Sequence, residues 1–224
     1  MSDLTTFPPQ RVGRHPERAS SERDALDAVL DASLVGTLST VVDGRPWVVP
    51  MLYARVGDRI LVHGSTGAGA LRAVAAGSPV ALCVALIDGL VVAHTTFESS
   101  ANYRSAVVSG RLEPLTGAEQ EAALDHLSER ILPGRTDEVR PTTKKERSAT
   151  LAMALPIVDG QWTVKVRDDW SSVPEEESDA WVGVVPIRTV FDPPQTAPFS
   201  PPDAPVPASV RALAERNVPS PVRP

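Results

Sequence analysis

Four dipeptides, Asp43-Gly44, Gly57-Asp58, Asp88-Gly89 and Asp159-Gly160, cut the chain into short apolar runs. This punctuation constrains the fold more than any other feature. Asp and Gly tolerate the left-handed backbone of a two-residue hairpin turn, where a bulky residue would clash. The runs between them are rich in Val, Leu, Ile and Thr, which fit a pleated, half-buried surface. Residues 34–42 and 46–54 flank the first turn, and 59–63 follows the second. Residues 80–87 and 90–97 flank the third, 106–112 comes next, and 151–158 and 162–167 flank the fourth. Residues 181–190 form a last β segment. Short strands joined by tight turns predict an antiparallel meander, folded as a barrel or a sandwich. Periodicity does not choose between them and names no ligand.

The period changes to that of a helix in five places. Ser21-Glu22-Arg23-Asp24 has the spacing of a capping box, and Leu26, Val29 and Leu30 follow on one face, which predicts a helix over 21–32. An Ala-rich helix is expected over 68–76. Ala122, Leu124, Leu127 and Ile131 mark a longer one over 116–132, stopped by Pro133-Gly134. Residues 142–150 and 208–216 complete the set. Residues 1–19 are polar and read as an extended arm. Residues 193–207 are rich in Pro and Ala and read as loose. The expected organisation is therefore an arm (1–19), one domain (20–192) and a Pro-rich C-terminal tail (193–224).

Composition excludes several classes. The net charge of −6 argues against a general binder of nucleic acid or of anionic membrane surfaces, which needs clustered Lys and Arg. No apolar stretch is long enough to span a bilayer. Cys83 is the only cysteine, so no intrachain disulfide and no thiolate metal cluster can form. No signal-peptide pattern is visible at the N-terminus, so a cytoplasmic protein is expected. His15, His63, His94 and His126 lack metal-ligand spacing. Cys83 lies in an apolar run and reads as a small buried hydrophobe. There is no Gly-x-Ser-x-Gly nucleophile elbow. The run Glu175-Glu176-Glu177 reads as a solvated loop.

Three further segments could hold an anion or serve the fold alone. His63-Gly64-Ser65-Thr66-Gly67 lies where a strand passes into a helix. Backbone N–H groups and hydroxyls there can hold a phosphate, or the glycines simply make a turn that caps the helix. Asn102-Tyr103-Arg104-Ser105 offers a permanent cation beside a stacking phenol, or a strand with a surface arginine. Lys165 and Arg167 alternate along one strand and so share a face, either toward an anion or toward water.

Several blocks together resemble the flavin-nucleotide-binding group of the pyridoxamine 5′-phosphate oxidase-like superfamily, related to nitroimidazole-resistance proteins. They are Arg14-His15-Pro16-Glu17-Arg18-Ala19, Pro50-Met51-Leu52-Tyr53-Ala54-Arg55, His63-Gly64-Ser65-Thr66-Gly67, Asp88-Gly89-Leu90-Val91, Asn102-Tyr103-Arg104-Ser105, Pro133-Gly134-Arg135, Lys165-Val166-Arg167 and Trp181-Val182-Gly183-Val184-Val185-Pro186. Each is weak alone; their order over residues 14–190 carries the likeness. The resemblance implies a mainly β (α+β) fold, a six-stranded antiparallel split β-barrel with flanking helices. It also implies a homodimer holding FMN at its interface, with a small-molecule substrate over the flavin ring. The residues it points to are Val49, Pro50, Met51, His63, Gly64, Ser65, Thr66, Arg72, Tyr103, Arg104, Ser105, Lys165 and Trp181, the last either packing on the cofactor or filling the interface. Where the family has Ser-Arg after the Gly-rich loop this chain has Ala68-Gly69, so Arg72 is expected to reach back to the phosphate. Where the family has His-Ser before the Tyr-Arg motif this chain has Ser99-Ser100. The expected function is an FMN-dependent oxidoreductase of unspecified substrate. The alternatives are a reductase using the deazaflavin F420 and a flavin-binding dimer without turnover.

Overall fold

A computed structural model describes residues 12–67, 69–173 and 177–216. The outer arm (1–11), Ala68, residues 174–176 (Pro174 and the first two of the triple-glutamate run) and the end of the tail (217–224) lie outside the described residues.

After a 3-10 turn at Pro16–Arg18 come β1 (Ala19–Ser20), α1 (Arg23–Ala32), β2 (Val35–Val42), β3 (Arg45–Val56), β4 (Arg59–Ser65) and α2 (Gly69–Ala75). Then follow β5 (Pro79–Val92), β6 (Ser100–Arg111), β7 (Glu113–Leu115), α3 (Gly117–Ile131) and α4 (Lys144–Ser148). β8 (Thr150–Pro156), β9 (Trp162–Arg167), β10 (Gly183–Pro186) and α5 (Ala208–Ala214) complete the order. All pairings are antiparallel, in the order β1-β9-β6-β5-β2-β3-β4-β8-β7, with β10 on β5. The fold is the expected antiparallel split barrel with flanking helices. Its sheet is open, however, and has ten strands rather than six. Most of the excess is edge: β1, β7 and β10 are only two, three and four residues long. They add to neighbours whose N–H and C=O groups would otherwise be left bare.

Two apolar clusters sit on opposite faces of this sheet. Leu26, Val29 and Leu30 of α1 pack with Leu38, Tyr53, Ile60, Val62, Leu82, Val84, Val108, Met153 and Leu155 in the larger one. Ala123 and Leu127 of α3 cover Ala54, Leu61, Ala152 and Ala154 in the smaller. Because side chains alternate across a strand, β4 sends Ile60 and Val62 to one cluster and Leu61 to the other. That explains why residues 60–62 and 152–155 read as unbroken apolar runs: both faces are buried there. Each large aliphatic side chain so buried contributes about 1.5–3 kcal/mol.

Two local expectations fail. Asp88-Gly89 is not a turn. β5 runs straight through it, and the register with β6 slips between Ile87 and Gly89, leaving Asp88 as the extra residue of a bulge. The hairpin bend falls instead at residues 93–99. Gly89 is required for packing: a Cβ there would lie 2.9 Å from Val184 Cγ1 and 3.1 Å from the Val185 carbonyl oxygen of β10. The capping box at the start of α1 is also absent. Glu22 is the N-cap without a side-chain bond, and its N–H donates to Ser20 Oγ (3.1 Å). The box forms instead at α4, between Thr143 and Glu146. Near the C-terminus, Ser209 of α5 donates from its N–H (3.0 Å) and its hydroxyl (2.5 Å) to Glu138. These bonds hold the Glu138 carboxyl at about 2, well below its ordinary range.

Candidate functional site

Register defines one continuous outer face on β3, β2, β5, β6 and β9. Pro50, Thr37, Cys83, Val107 and Thr163 lie directly opposite one another across five strands. Directly opposed residues project to the same side. Two positions along, Ala85, Ser105 and Lys165 form a second row, and Ile87, Tyr103 and Arg167 a third. On the other side of the first row, Val48, Ser39, Ala81 and Ser109 form a fourth. The face mixes apolar and small polar side chains and is open at Val48 (60% exposed), Ile87 (55%) and Val35 (46%). It continues along β3 through Leu52 and on β4 reaches His63, the next same-face position after Leu61.

All the expected site residues but Trp181 divide in three. Pro50, Tyr103, Ser105 and Lys165 share this outer face. His63, Ser65, Thr66 and Arg72 gather at its β4–α2 edge. Val49, Met51, Gly64 and Arg104 turn the other way. Val49 and Met51 pack on the larger core. Gly64 lies under Leu71, whose Cδ1 takes the place where a Cβ would stand. Arg104 sits opposite Leu86 and Val166, which also pack on that core. Its guanidinium is taken by Asp88, Nε to Oδ2 at 2.8 Å and Nη2 to Oδ1 at 2.6 Å. The carboxylate holds the Arg104 pKa above its ordinary value. Trp181 is 66% exposed and lies against Gly183, opposite Val92. That is five strand residues, roughly 16 Å, beyond Ile87.

At the β4–α2 edge the groups are partly engaged. Ser65 Oγ accepts from the Gly67 N–H (3.2 Å), and the Thr66 hydroxyl donates to the Ala149 carbonyl (3.3 Å). Arg72 folds back toward the start of α2, its Nη2 3.9 Å from the place a Gly69 Cβ would take. His63 Nδ1 is buried with no hydrogen-bond partner, and the ring makes no hydrogen bond among the described residues. On the β6–β9 side, Lys165 Nζ donates to the Arg14 carbonyl (3.0 Å). Arg167 is buried and donates to Asn102 Oδ1 (3.0 Å) and to the Ala101 carbonyl (3.2 Å). Cys83 is half-buried on this face rather than the fully buried hydrophobe expected, and that partial burial pushes its thiol up. From β4 to β6 is four strand spacings, up to roughly 19 Å along the sheet.

Asp88 and Thr37 were missed by sequence reasoning. Asp88 was concealed in a dipeptide that reads as a turn. The alternation Cys83, Ala85, Ile87 was the available signal that the strand continues past it. Thr37 carries no signal of its own, since only the pairing of β2 with β3 and β5 puts it in the row. No group of three or more His, Cys, Asp or Glu side chains among the described residues is arranged to hold a metal ion. No helix among them is long and apolar enough to cross a membrane.

An open antiparallel split barrel, with a helix packed on one half of its sheet and a mixed polar and apolar face left open on the other, defines the class. The chain belongs to the pyridoxamine 5′-phosphate oxidase family, whose sequence profile matches residues 22–163. The FAD and heme binding protein of Mycobacterium smegmatis is 42% identical, with a TM-score of 0.84 over 88% of this chain and 97% of that one. The flavocytochrome Anf3 of Azotobacter vinelandii is 31% identical, also with a TM-score of 0.84, over 95% and 97%. A candidate 5-nitroimidazole antibiotic resistance protein of Bacteroides thetaiotaomicron shares the fold at 18% identity, with a TM-score of 0.56 over 66% and 86%. No curated protein matches the sequence.

Proposed function

We propose that this chain is a flavin-binding redox protein that also takes a heme and works as a cytoplasmic homodimer. One observation carries the reading: two relatives at 42% and 31% identity, matched over nearly their whole length, are an FAD and heme binding protein and a flavocytochrome. FAD is the flavin we favour. FMN carries the same ring and a single phosphate. The two polar groups on the outer face, Ser65, Thr66 and Arg72 at one edge and Ser105 and Lys165 at the other, lie four to five strand spacings apart in the sheet order. A dinucleotide spans more of that distance. Pro50 and Tyr103 offer the ring an apolar contact and a stacking partner. The open face of Val35, Val48, Leu52 and Ile87 supports the dimer, since a second copy is the usual cover for such a patch.

The donor set also fits a heme. Its iron needs one protein ligand, and His63 supplies an unengaged imidazole beside an apolar surface. When bound, flavin supplies hydride or single-electron transfer and heme supplies one-electron and oxygen chemistry. The chain's own part is to hold both, exclude water and set their potentials. The test is the absorbance spectrum of the purified protein, followed by titration with FAD, FMN, F420 and hemin. Flavin bands together with a Soret band are expected, with FAD binding more tightly than FMN. Failure of every flavin to bind at concentrations on the order of 10–50 µM would overturn the reading.

A further inference from the structure

We infer that His63 is the axial protein ligand of the heme iron, an assignment that rests on the heme-binding reading above. Iron in a porphyrin is held from the protein side by His, Cys, Met or Tyr. The described residues leave few of these usable. His15 Nδ1 is 2.9 Å from Glu17 Oε1 on an exposed turn, and His94 Nε2 is 2.9 Å from Glu98 Oε2. His126 is exposed on α3 with no wall around it. Met153 is fully buried and Met51 packs on the larger core. Tyr53 is buried with its hydroxyl donated to the Leu30 carbonyl. Cys83 faces the open sheet, but its thiol is kept neutral by burial and the thiolate is the ligating form. His63 and Tyr103 remain; a tyrosine binds iron as its phenolate, whereas an imidazole binds through a ring-nitrogen lone pair.

The position of His63 suits the role. Leu61 and Ala152 on its face are shut under α3, whereas Leu52 on β3 is 39% exposed, so the ring stands where the helical cover ends. Nδ1 is the buried edge. Nε2, on the other side of the ring, is left for a ligand over the apolar surface of Val35, Pro50 and Leu52. Binding through Nε2 requires the proton on Nδ1, where no carboxylate accepts it among the described residues. The ligand is therefore a neutral imidazole without the imidazolate character that a second-shell carboxylate confers.

The experiment uses the full-length protein reconstituted with hemin and read by absorbance, EPR and resonance Raman. The wild type is expected to give a histidine-ligated heme. His63→Gly is expected to lose at least the roughly 10–100-fold in heme affinity that removal of a supporting group costs. Added imidazole should restore the spectrum of His63→Gly. His63→Tyr should replace the imidazole signature with a phenolate-to-iron charge-transfer band. His94→Gln and Cys83→Ser should keep the wild-type spectrum. Failure of the wild type to bind hemin would overturn the heme-binding reading and this assignment with it. A wild type that binds hemin, with the same spectrum in both His63 variants, would overturn the assignment alone. So would a folded His63→Gly that imidazole does not restore.

Discussion

Arg104 and Asp88 form a two-point ion pair on the inner side of the sheet, with Nε–Oδ2 at 2.8 Å and Nη2–Oδ1 at 2.6 Å. Asp88, the extra residue of the bulge at 87–89, stands two positions beyond Leu86, the residue opposite Arg104. A guanidinium held on both prongs by one carboxylate has little left for a phosphate. The arginine that motif reading singles out first is thus a structural cation.

Replacing Asp88 by Asn tests that conclusion. The shape is kept while a partly buried Arg104 loses its counter-charge. We expect a loss of about 1–3 kcal/mol, toward the lower end because the pair is not fully enclosed. For a chain of this length each 1 kcal/mol lowers the melting temperature by about 2–4 °C. Flavin affinity should stay within about twofold of wild type. A tenfold change in flavin affinity would instead make Arg104 a phosphate ligand.

Much of the fold was legible because local chemistry and tertiary context agree. Asp43-Gly44 is a true hairpin turn, with both residues at positive φ, and α3 ends at the Pro133-Gly134 stop. Asp88-Gly89 misled because the same dipeptide also serves a bulge, and only the approach of β10 to Gly89 decides between the two. The candidate site was half legible. Pro50, Tyr103, Ser105 and Lys165 do share a face, but Val49, Met51 and Arg104 alternate to the other side. A motif read as a block loses this period of two. A single histidine proposed as an iron ligand leaves no spacing to find, so that proposal lay beyond sequence reasoning.

Gly64 links the core to the β4–α2 edge. Its absent Cβ is filled by Leu71, so Gly64→Ala must displace α2 or rotate Leu71 away from the core. We expect about 1–3 kcal/mol of destabilisation from this overpacking. Flavin affinity should fall as well, because Arg72 moves with α2. The double variant Gly64→Ala/Leu71→Ala should regain part of that affinity despite its own core loss. Melting curves and flavin fluorescence titrations of the three proteins decide. An unchanged flavin affinity in Gly64→Ala would separate Arg72 from the cofactor.

The open face should tolerate charge in one copy and reject it between two. Val48 and Ile87 are more than half exposed, so Val48→Asp and Ile87→Asp should alter the stability of the isolated chain by no more than about 0.5 kcal/mol. In a dimer closed over this face the same charges are desolvated without partners. Sedimentation velocity should show a dimer for wild type and a monomer for the double variant. A wild type that is monomeric at micromolar concentration, or a double variant that still dimerises, would remove this face as the interface.

Tyr53 ties the first helix to the sheet, and the tie depends on pH. Its fully buried hydroxyl donates to the Leu30 carbonyl, one of the last four of α1 that lack a partner within the helix. Burial raises its pKa well above the ordinary value of 10.0. The folded state therefore keeps a proton that the unfolded chain releases from about pH 10 upward. Stability from this group is complete below that pH and is lost as pH rises beyond it, by up to about 1.4 kcal/mol per pH unit. Tyr53→Phe cannot release that proton in either state. At pH 7 it should be less stable than wild type by about 1–2 kcal/mol, because the Leu30 carbonyl is left unpaired in the core. Between pH 10 and 11 the gap should narrow, since only the wild type loses the tyrosine contribution. Urea denaturation at pH 7, 10 and 11 measures both. Parallel pH profiles for the two proteins would mean that Tyr53 ionises as readily folded as unfolded, which a phenol sealed between α1 and β4 cannot do.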